Sequence, residues 1–65
     1  MTDDIDIYRS AKLLVDRYGD TATIEAMKRA DALAAQGDTE GKVVWLRILE
    51  VIEELQNTKP AGQVH

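Results

Sequence analysis

Sixty-five residues allow one domain, and folding at this length buries only about 60% of the surface the unfolded chain exposes, which leaves a lone copy with a thin core. The chain has no Cys and a single His, His65 at its C-terminal end, so disulfide bracing is excluded and no metal or other cofactor is expected. Twelve acidic against eight basic side chains give a net charge of -4, and no apolar run approaches the ~20 residues of a membrane span, so neither nucleic acid nor a membrane is an expected partner. The opening MTDDIDIY is acidic where a secretory leader is basic, and the expected location is the cytoplasm.

Ile7, Tyr8, Ala11, Leu14, Val15 and Tyr18 recur as one helical stripe and predict a first helix over 4–18. Thr2 or Asp3 can accept its free amides, and Asp3, Asp4 and Asp6 suit the positive end of its dipole. Gly19 follows at once as a residue able to take the left-handed conformation, and Asp20 is the expected N-cap of the next helix. That second helix, over 21–36, carries Ala22, Ala26, Met27, Ala30, Leu33 and Ala34 on its expected inner side. Gly37, Asp38 and Thr39 then repeat Gly19, Asp20 and Thr21 eighteen residues on, which predicts a second corner of the same kind with Asp38 as N-cap.

The third helix, over 39–57, contains the most apolar stretch of the chain. In VVWLRILEVIEEL, nine of thirteen residues are apolar. Steps of ~100° put Val44, Trp45, Ile48, Leu49, Val51, Ile52 and Leu55 on an arc of roughly 160°, opposite Arg47, Glu50, Glu53 and Glu54. An arc that wide needs more than one Ala-rich neighbour to cover it. Pro60 and Gly62 mark a breaker cluster, with a polar, disordered tail expected over 59–65.

Chemistry finds little purchase. Ser10 falls within a helix and the only His lies in the tail, so no nucleophile meets a base. Glu50, Glu53 and Glu54 read as a solvated face, since no Glu-x-x-His accompanies them. The Gly-Asp corners set an acid where a phosphate would bind. A DNA-reading helix-turn-helix fails because the exposed residues of the third helix are Arg47, Glu50, Glu53 and Glu54. Glu25 with Arg29, Asp6 with Arg9 and Arg47 with Glu50 read as ordinary surface pairs. Asp31 reads as a boundary acid paired with Arg47 or Lys12, and Trp45 as core or interface.

The segments IYRSAKLLVDRYGD, AMKRADAL with QGD, and VVWLRILEVIEELQ resemble a family of short bacterial proteins of unknown function. The shared pattern is Tyr-Arg-x-Ala-Lys, Met-x-x-Ala-Asp, a Gly-Asp corner and Val-Trp-x-Arg-Ile-Leu, and it covers about residues 5–57. The resemblance implies a small helical protein and assigns no catalytic or binding residue.

The expected fold is therefore all-α, with a 1–58 domain of three helices joined by two-residue Gly-Asp corners. The expected assembly is a homodimer, side by side or with a helix exchanged between copies, because Leu13, Val43 and Leu46 fall among charged residues. With Trp45, Leu49 and Ile52 they form the expected interface of a non-enzymatic interaction module, whose partner is a second copy or another protein. The alternative is a small-ligand or enzymatic pocket lined by Trp45, Tyr8 and Tyr18.

Overall fold

A computed structural model of the chain describes residues 4–57, and all of these except Gln36, Gly37 and Asp38 are helical. The elements are α1 (Asp4–Tyr18), a 3-10 turn (Gly19–Thr21), α2 (Ala22–Ala35) and α3 (Thr39–Asn57). The expected tail over 59–65, and Thr2 and Asp3 as caps, lie outside the described residues. No helix among those described is long and apolar enough to cross a membrane.

The all-α expectation holds, but the expected three helices on two equal corners do not. Gly19 takes φ +57°, and the chain re-enters helix immediately through the 3-10 turn. Asp4–Ala35 is thus one bent helical run, and the architecture is two helices, the first of them bent. Asp20 sits inside that turn and caps nothing: α2 starts after Thr21 with no side-chain cap. The carbonyls at the bend find other partners. The Thr21 hydroxyl donates to the Tyr18 carbonyl at 3.1 Å, and the Gln56 side-chain amide donates to the Gly19 carbonyl at 2.9 Å. The Ala22 amide also donates to Gly19 O.

The second corner is a full stop. Gly37 takes φ +83°, its amide donates to the Ala34 carbonyl at 3.0 Å, and the Asp38 amide donates to Leu33 O at 2.9 Å. These are the paired bonds of a Schellman ending, in which the left-handed residue turns two amides back onto the last turn. Asp38 then caps α3 as expected, its Oδ1 accepting the Gly41 amide at 2.9 Å while its carbonyl accepts the Lys42 amide at 3.1 Å.

The core lies where both arms of the bent run meet α3. Ile7, Ala11 and Leu14 from α1, Ala22 and Ala26 from α2, and Ile48 and Ile52 from α3 are buried together. Each set follows the helical three- and four-residue spacing that puts side chains on one face. Val15, Tyr18, Val44, Trp45, Leu49, Val51 and Leu55 pack partly buried around them. The Ala22, Ala26, Ala30 line lets the α2 backbone approach α3 closely. Met27 and Ala34, expected inside, are exposed instead. Both project about 80–100° from Ala26 around the helix, away from the Ala22, Ala26, Ala30 line that faces the core. Tyr8, also expected inside, is exposed for the same reason.

Candidate interaction surfaces

The described residues put seven large apolar side chains largely on the surface: Ile5, Tyr8, Leu13, Ile24, Met27, Val43 and Leu46. Leu13, Val43 and Leu46 were expected to be left uncovered, and they are 64%, 50% and 38% exposed. Val43 and Leu46 lie three residues apart on the outward side of α3. Trp45 and Leu49, their companions in the expected interface, are half-buried against the core. Ile52 is a correction: at 0% exposure it is the largest fully buried side chain and has no surface to offer a partner. Periodicity groups it with the arc but cannot say which part of an arc two neighbours cover. Ile24 and Met27 form a further exposed pair on α2 that the sequence signals only through their three-residue spacing away from the Ala line.

Around Trp45 the structure is open. The Arg29 guanidinium lies over the indole, 5.1 Å from its centroid. Arg29 is therefore used on Trp45, and the partner of Glu25 is Lys28 at 3.5 Å. Cation–π contacts at exposed sites stabilise by about 0.5–1 kcal/mol. Beside the ring lies a cleft of about 170 Å³ lined by Ser10, Leu13, Arg17, Tyr18, Arg29 and Trp45, with Leu14 at its inner edge. Tyr18 reaches this cleft and Tyr8 does not, so the aromatic trio of the ligand-pocket alternative is not assembled. The volume also falls short of the ~300 Å³ from which small-molecule sites usually begin.

A larger concavity runs along the other flank of α3. Two open clefts of about 830 and 480 Å³ share Asp4, Ile7 and Arg47, and so form two arms of one trough. The first arm adds Thr39, Glu40, Val43 and Val44; the second adds Tyr8, Glu50, Val51, Glu54 and Leu55. Where they meet, Arg47 donates to Asp4 Oδ1 at 3.2 Å. With the two side chains 58% and 90% exposed, such a pair contributes roughly 0–1 kcal/mol. This long-range bond replaces both sequence-based expectations for Arg47. It does not pair with Glu50, and Asp31 is an exposed acid with no ion pair among the described residues.

None of these surfaces presents a convergent catalytic set. Among the described residues no three His, Cys, Asp or Glu side chains converge to hold a metal ion. Glu50, Glu53 and Glu54 all face solvent. No family model, no curated protein and no solved structure matches the chain, so its functional reading rests on its own residues.

Proposed function

We propose that this protein is a small cytoplasmic interaction module without catalytic activity of its own, acting as a homodimer through the outward side of α3 around Val43 and Leu46, with Leu13 a further exposed apolar residue on α1. One observation carries the reading. Among the described residues only four large apolar side chains are buried, Ile7, Leu14, Ile48 and Ile52, against seven that stay exposed; the remaining buried residues are all Ala. A chain with no Cys has no disulfide to make up for so small a core, and association is the usual supplement. A second copy covering about 800 Å² per subunit would be an interface of standard size.

Light scattering over a concentration series tests this directly. The expected mass is that of a dimer, and Leu46→Glu converts it to monomer or unfolds it by placing a charge in the apolar contact. A monomer mass for the unmutated chain at high micromolar concentration rejects self-association and assigns the same face to a different protein. The ligand-pocket alternative has only the small cleft at Trp45 in its support, and a reproducible thermal stabilisation by one metabolite class would reverse the ranking.

A further inference from the structure

We infer that the trough between α1 and α3 is a second docking surface, and that its occupant is a basic amphipathic helix of another protein. The inference rests on the interaction-module reading; the trough shares Val43 with the proposed self-association face, while Leu46 lies outside it. The floor of the trough is apolar, formed by Ile7, Val44, Val51 and Leu55. Its rim carries the carboxylates of Asp4, Glu40, Glu50 and Glu54 against one cation, Arg47, which Asp4 already occupies. Glu40, Glu50 and Glu54 have no ion-pair partner among the described residues.

An apolar floor between unpaired acids matches one kind of guest closely: a helix whose apolar stripe enters the groove while Lys or Arg on its flanks meets the rim. The dimensions agree. From Glu40 to Leu55 the α3 flank runs about 22 Å, four turns of helix. The exposed Arg47–Asp4 pair that crosses the trough is weak enough for a guest cation to take over the Asp4 carboxylate. A second copy of this chain fits poorly here, because its own net charge of -4 meets a rim of the same sign.

The test uses the full chain and two fluorescent sixteen-residue amphipathic peptides, one of Leu and Lys and one of Leu and Glu, read by fluorescence anisotropy. The Leu/Lys peptide should bind saturably and the Leu/Glu peptide should not. Glu54→Lys, on the rim, should weaken binding by about tenfold. Asp31→Lys makes the same change of charge on an exposed position outside the trough, and should weaken it by less than about twofold. Circular dichroism confirms that both variants keep their helix. Equal weakening by the two variants means attraction to net charge alone and overturns the proposal, as does absence of binding at ~1 mM peptide or equal binding of the Leu/Glu peptide. If Glu54→Lys abolishes dimerisation instead, the trough belongs to a second copy and the proposal is likewise overturned. Failure of self-association is read separately from the mass of the unmutated chain.

Discussion

The two Gly-Asp-Thr corners carry the same three residues and behave differently. Both glycines take a positive φ, Gly19 at +57° and Gly37 at +83°, yet the first corner only bends a helical run and the second ends one. Asp38 stands at the head of α3 and caps it, whereas Asp20 lies inside the 3-10 turn, and the residue three places after each also differs. After Asp38 it is Gly41, whose amide meets the Asp38 carboxylate; a Cβ there would lie 2.8 Å from Asp38 Oδ2 and 3.0 Å from Leu33 Cδ1. After Asp20 it is the β-branched Thr23, and no side-chain cap forms. The bend is instead held from outside, by Gln56 of α3 on the Gly19 carbonyl. One corner is built from bonds between Leu33 and Lys42, ten residues of chain, and the other adds to its local Thr21–Tyr18 bond a partner 37 residues away.

Substitutions at the two corners should separate these cases. Gly37→Val should cost the most, about 1–3 kcal/mol, because a β-branched residue resists φ +83°. Gly37→Asn, which tolerates the left-handed region, should restore most of it in urea denaturation; equal loss in both would mean that backbone strain is not the cause. Asp38→Ala should cost about 0.5–2 kcal/mol through the lost Gly41 cap, while Asp20→Ala should change stability by less than about 0.5 kcal/mol. Equal effects would return Asp20 to the role of cap. Gln56→Leu should cost about 0.5–1.5 kcal/mol. It should also speed hydrogen exchange in the turn over Gly19–Thr21 and leave the Gly37 and Asp38 amides protected; uniform loss at both corners would remove the distinction between local and distant support.

Much of the fold was legible. The bounds of α1 and α3 follow from stripe and stop signals, and the observed helices begin and end at the predicted residues. The solvated face at Arg47, Glu50, Glu53 and Glu54 is also where periodicity puts it. The candidate surfaces were legible only in part. Leu13, Val43 and Leu46 stand out because they fall off every stripe, which needs only angles around a helix axis. Met27 and Ile52 were misplaced because both lie on broad apolar arcs, and the position of a neighbouring helix decides which edge of an arc is covered.

The sequence by itself determined where helix is favourable, which glycine turns and ends it, and which apolar residues have no place in a stripe. These are properties of bonds and angles within a few residues of chain. Only the tertiary structure decided that Asp4 meets Arg47, that Gln56 holds the bend at Gly19, and that an apolar trough with an acidic rim opens between α1 and α3. Each of these joins residues far apart in the chain, and their approach depends on how steeply two packed helices cross, which no local spacing encodes.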